Sequence, residues 1–201
     1  METVIRWTPS STPDGQRFLF FDGSDRSFKH CRVTSTDSSK LAYDVLHSRS
    51  NVPAFRAFDW SPADEGLVAV GQSSGEATVL RVNDVNSSPT VFPARSQRCC
   101  NAVAFNSQGL LAAGLDKVRN DFCLNIWDLN QNGSLGRVSG RGPGSGSDRQ
   151  PVVEPFRKFA SAESITSVKF FKSQPETLVA GVKGQFVRIY DLRGMLLFCR
   201  I

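Results

Sequence analysis

A chain of 201 residues, 40% of them apolar and 15 of them Phe, can bury a real hydrophobic core in one or two ordinary domains. Its net charge of +5 is scattered with no block of like charges, the pattern of a solvated basic face rather than a nucleic-acid or anionic-membrane surface. Cys31, Cys99, Cys100, Cys123 and Cys199 form no Cys-x-x-Cys pair and the only histidines are His30 and His47, so the expectation is buried reduced thiols with no metal and no cofactor.

In chain order, Val4 to Pro9 reads as a short strand ending at Trp7, and Phe18–Phe21, Asp22-Gly23 and Ser27–Val33 as a hairpin. Polar residues 34–39 follow, then an outer strand around Leu41 to Leu46. A second unit runs from the strand Phe55–Trp60 to Leu67–Gly71, the turn Gln72–Gly75 and the alternating strand Ala77–Val82. A third comprises Asn101–Phe105, the small apolar run Leu110–Gly114, a charged turn from Leu115 to Asp121, and an alternating strand ending on Trp127-Asp128. A fourth comprises Ile165–Phe170, Leu178–Gly181 and Phe186–Asp191, where Tyr190 stands in the Trp position, and Met195–Ile201 reads as its outermost strand.

The units repeat. Trp60 and Phe105 are 45 residues apart, Gly71 and Gly114 are 43, and Val82 and Trp127 are 45. A period of roughly 40–45 residues closing on Trp-Asp is the signature of a WD-repeat propeller blade. The step from Phe105 to Phe170 grows to 65 because Gln131–Gln150, rich in Gly, Ser and Arg and without apolar periodicity, reads as a flexible insertion. The expected architecture is all-β: four antiparallel blades at about 1–50, 51–95, 96–160 and 161–201 of an incomplete WD-repeat propeller. Small residues ending each second strand, with Gly71, Gly114 and Gly181 last, are expected to let neighbouring blades approach closely. Closed rings commonly have seven blades, so four imply the N-terminal part of a longer protein or a truncated product.

The string Leu111-Ala-Ala-Gly-Leu-Asp-Lys117, with Arg119, Asp121-Phe122 and Ile126-Trp127-Asp128, is far more particular than a generic WD repeat. Together with Leu67–Gln72 and Arg98–Asn106, it resembles the Mio (missing-oocyte or SEH-associated) family. The distinctive motifs lie within residues 55–128. The resemblance implies an N-terminal propeller followed by a helical region and a zinc-binding module. It also implies a scaffold subunit of the SEA complex (the GATOR-two assembly), acting in amino-acid signalling to TOR complex 1 at the vacuole or lysosome. Here the chain stops after four blades and carries the insertion.

No nucleophile elbow, His-Glu-x-x-His or phosphate loop is present, and the Gly-x-Gly spacings within Gly140–Gly146 follow no strand and open no helix. The expected function is therefore non-catalytic scaffolding through other protein subunits; the alternative is a generic WD-repeat interaction adaptor unrelated to nutrient signalling. Small-molecule substrates and direct nucleic-acid contacts are not expected. The N-terminus has no apolar core of signal-peptide length, so the expected location is the cytoplasm, with any membrane reached through partners. Asp116, Lys117 and Arg119 are the candidate protein-binding loop, on the propeller's top face. Asp121 stands where WD repeats hold a turn-stabilising Asp that often bonds a His of the preceding loop; that His is missing, and Arg95 or Arg98 is expected to supply the partner charge. Trp127 and Tyr190 are expected in the core, and Asp128 and Asp191 at strand ends.

Overall fold

Period-2 patterning over short segments separated by Gly, Asp, Asn and Ser gives strands joined by tight turns, and that is what forms. The structure, a computed structural model, describes residues 5–8, 15–35, 42–119, 121–130, 153–184, 186–194 and 196–199. The expected flexible insertion at 131–150 lies outside them. The described residues form strands, turns and loops and contain no helix.

Four sheets follow one another along the chain, each an antiparallel meander of four strands in sequence order. The first is β1 (Ile5–Trp7), β2 (Arg17–Asp22), β3 (Ser27–Ser35) and β4 (Ala42–Arg49). The second is β5 (Ala57–Trp60), β6 (Leu67–Gly71), β7 (Ala77–Arg81) and β8 (Thr90–Phe92). The third is β9 (Cys100–Phe105), β10 (Leu110–Leu115), β11 (Leu124–Asp128) and β12 (Arg157–Phe159). The fourth is β13 (Ile165–Phe170), β14 (Thr177–Val182), β15 (Phe186–Asp191) and β16 (Leu196–Cys199). The short β8 and β12 carry no pattern by which sequence reading names them. The segment 131–150 falls between β11 and β12, inside the third sheet's meander.

The sheets stack face to face, with the first strands β5, β9 and β13 side by side. Every residue of β10 is buried, which is why it reads as a continuous apolar run and not as an alternation. Its odd positions, Leu111 and Ala113, join Trp127 against Phe92 and Val79 of the second sheet. Its even positions, Leu110 and Ala112, join Leu124 and Ile126 against Leu178 and Tyr190 of the fourth. Each large side chain so buried contributes about 1.5–3 kcal/mol, offset by the entropy of ordering it.

Two glycines permit the close stacking. A Cβ at Gly71 would stand 2.7 Å from Cys100 Sγ of the third sheet, and one at Gly114 would stand 2.5 Å from Ile165 Cγ2 of the fourth. Gly181 differs: the atom its Cβ would meet is Ser167 Oγ, across the ladder of its own sheet.

The first sheet buries Leu19 and Phe28 against Phe58, Trp60 and Val68 of the second. Its other face carries Ile5, Trp7, Tyr43 and Val45, which stay 47–57% exposed where no further sheet of the described residues lies. Trp7 and Trp60 close equivalent strands, yet Trp60 is buried and Trp7 is 57% exposed. What separates them is the neighbouring sheet and nothing in the local sequence.

Candidate protein-interaction site

The polar connection between β10 and β11 holds the residues singled out as a recognition loop. Asn101 Nδ2 donates to Asp116 Oδ1 at 2.8 Å, and the Lys117 N–H donates to Ser164 Oγ at 2.8 Å. The Asn101 hydrogen bond is the main cause of an Asp116 carboxyl below the ordinary carboxylate value. Asp116 is thus half-buried and engaged within the fold, whereas Lys117 and Arg119 are exposed. The three candidates therefore divide into one anchor and two exposed cations.

Asp121 closes the same loop. Of the two arginines proposed for it, Arg98 makes the contact: Nη2 lies 3.2 Å from Asp121 Oδ2, with the two side chains only 2% and 9% exposed. The same guanidinium donates to the Phe122 carbonyl at 2.6 Å and to the Asp116 carbonyl at 3.3 Å. Ser96 Oγ donates to Asp121 Oδ2 at 2.8 Å. Burial raises the Asp121 carboxyl, but the Ser96 hydroxyl, the Phe122 N–H and the two nearby arginines together outweigh it and hold the group below its ordinary value. Arg98 thus performs from the preceding loop the bridging that a His often performs in WD repeats.

Trp127 is buried beside Phe92 at 5.2 Å between ring centroids, and its Nε1–H donates to the Val153 carbonyl at 3.2 Å. Tyr190 is fully buried beside Phe159 at 5.0 Å. Asp128 and Asp191 end β11 and β15 and cap the following turns, accepting from the Asn130 and Arg193 N–H groups at 2.9 Å. The Arg193 guanidinium, 2.7 Å from Asp191 Oδ2, is the main cause of an Asp191 carboxyl lowered to about 2.

Sequence reading missed the axial network. Arg6, Asp59, Ala104 and Lys169 each precede the closing aromatic of a first strand, and the fold brings these strands together around Asp59. The buried carboxylate accepts from the Phe105 N–H at 2.9 Å and from Lys169 Nζ at 3.1 Å, and its Oδ1 stands 3.9 Å from Arg6 Nε. One aspartate from β5 thereby ties the other three sheets at the axis. The available signal was a charge directly before the closing aromatic in three of the four first strands, Arg6 before Trp7, Asp59 before Trp60 and Lys169 before Phe170.

His30 is buried between Trp60 and His47, with ring centroids at 5.2 and 5.6 Å; burial lowers its pKa and favours the neutral ring. Among the described residues no group of three or more His, Cys, Asp or Glu side chains is placed to hold a metal ion, and no helix is long and apolar enough to cross a membrane.

No family model matches the chain. It is 24% identical over 191 residues to a GATOR2 complex protein MIOS of Dictyostelium discoideum, covering 78% of this chain and 17% of that protein. It is 21% identical to SEH-associated protein 4 of Saccharomyces cerevisiae, covering 96% of this chain and 22% of that protein. A WD repeat-containing protein of Schizosaccharomyces pombe is 24% identical, with 89% and 18% covered. The chain thus spans about a fifth of the length of the curated relatives it matches. Four stacked meanders and these matches together show a WD-repeat β-propeller architecture in which the ring is not closed, similar over most of its length to the Mio, MIOS and SEH-associated proteins.

Proposed function

We propose that this chain is part of a non-catalytic WD-repeat scaffold that takes its place among the protein subunits of a SEA/GATOR-type assembly. Through that assembly it would regulate TOR complex 1 signalling in response to amino acids, in the cytoplasm and at the vacuolar or lysosomal membrane reached through its partners. The observation that carries the reading is the similarity to GATOR2 and SEH-associated subunits over most of the chain. The exposed Lys117 and Arg119, presented on a loop anchored by Asp116 and Asp121, are the proposed subunit contact. Anchoring with exposed cationic tips suits recognition of an acidic partner surface, because little order remains to be imposed on binding.

The test is affinity purification of the tagged gene product from its own cells, with and without Lys117→Glu and Arg119→Glu. Recovery of SEA/GATOR-type subunits that falls several-fold in the double variant is the expected result. Recovery of a different, stable set of proteins would instead favour the generic adaptor.

A further inference from the structure

On one side of the Asp59 network the axis opens into a cleft of about 1010 Å³. That volume is at the upper end of small-ligand pockets. Its walls carry Arg6, Arg56, Lys169 and Lys183, and among the described residues its only lining carboxylate is Asp116, already engaged by Asn101. Even with Asp59 counted at the floor, four cations face two carboxylates. Phe21, Phe55 and Phe58 supply an apolar wall, and the Arg6 guanidinium lies over the Phe58 ring at 5.1 Å. Arg6 Nε is a buried donor that finds no hydrogen-bond acceptor among the described residues. The walls are also the edges of sheets: β5, β9 and β13 are terminal strands, which present backbone hydrogen-bonding groups to the axis.

We infer that this cleft binds a short acidic peptide segment of a partner protein, an apolar side chain against the Phe55–Phe58 wall and carboxylates toward Arg56, Lys183 and the Arg6–Lys169 floor. A peptide fits better than a small anion for two reasons. It alone combines carboxylates with apolar area and main-chain groups for the strand edges. The cleft's volume of about 1010 Å³ is also far more than one phosphate or carboxylate fills. Lys117 and Arg119 do not line the cleft, although their neighbour Asp116 does, so either assignment can fail while the other stands.

The probe is a fluorescein-labelled peptide amide with two Glu on each side of one Phe, titrated by anisotropy against the full chain at low ionic strength. The controls are the same peptide with Gln for Glu, and inorganic tripolyphosphate as competitor. Saturable binding of the acidic peptide is expected, about tenfold weaker for the Gln peptide, a factor that two well-formed ion pairs supply. Arg56→Gln with Lys183→Gln should weaken binding about tenfold, and because both side chains are exposed the melting transition should not move. Lys117→Gln with Arg119→Gln should leave affinity within about twofold. The proposal is overturned by the absence of saturable binding, by equal affinity for the two peptides, by indifference to the Arg56/Lys183 pair, or by tripolyphosphate competing as well as the peptide itself.

Discussion

Lys169 Nζ lies 3.1 Å from Asp59 Oδ1, an ion pair between the first strands of the second and fourth sheets, 110 residues apart in the chain. The two ends are unequal: the aspartate side chain is 8% exposed and the lysine 62%. Removing the buried end should therefore cost more than removing the hydrated one. Asp59→Ala also strips the acceptor from the Phe105 N–H and should lower unfolding free energy by about 2 kcal/mol. Lys169→Met should cost less than about 1 kcal/mol. Urea unfolding of the two variants measures the difference, and equal costs would contradict the geometry.

Arg98 and Asp121 should set both the order and the acid response of the loop before β11. Arg98→Ala strips the paired cation from the Asp121 carboxylate and a donor from the Asp116 and Phe122 carbonyls, a loss of about 2–3 kcal/mol, and hydrogen exchange at Phe122 and Cys123 should quicken. Unchanged exchange there would refute the pairing. The folded Asp121 carboxyl is held below its unfolded value, so the folded state binds fewer protons. Its stabilisation is complete above the ordinary carboxylate value and is lost as the pH falls through the folded one. Asp121→Asn should flatten that part of an acid-denaturation profile.

The glycines near the ends of the second strands should separate by what they face. At Gly114 an alanine methyl meets the branched Ile165 side chain of the fourth sheet, and Gly114→Ala should cost about 1–3 kcal/mol. At Gly181 it meets a Ser167 hydroxyl, which Ser167→Ala removes, so Gly181→Ala should cost far less in the Ser167→Ala background than alone. Thermal melts of the single and double variants decide this.

Thiol reactivity should follow burial. Burial pushes the Cys31 thiol up to about 11 and the Cys100 thiol up to about 12, and Cys123 is fully buried, whereas Cys99 is half-buried. The thiolate is the reactive form, so Cys99 should be alkylated well before these three in the folded chain. Peptide mapping after a short iodoacetamide pulse gives the order, and early labelling of Cys100 would mean that the second and third sheets part more readily than their packing implies.

The aromatic face of the first sheet should be sticky. Trp7 and Tyr43 each pack on Phe18, both at 5.5 Å between ring centroids, while both stay about half exposed. Trp7→Glu with Tyr43→Lys should therefore reduce binding of a hydrophobic dye and cost no more than about 1 kcal/mol in stability. Undiminished dye binding would place the adhesive surface elsewhere.

The amino-acid sequence by itself determined the sheets: strand periodicity, turn residues and a repeat near 45 residues are local or evenly spaced, and they mark out β5–β7, β9–β11 and β13–β15. It also brought Asp121 and its two candidate arginines into view, because a WD-repeat turn leaves a defined place for an acid and its partner. Tertiary structure alone decided between Arg95 and Arg98, and it alone decided that Trp60 is buried where Trp7 is not. The same holds for the convergence of Arg6, Asp59, Phe105 and Lys169. Pattern fixes which way a strand's side chains point; what they meet depends on which sheet stacks beside them, and stacking joins residues as far apart as Asp59 and Lys169 through burial that no local segment encodes.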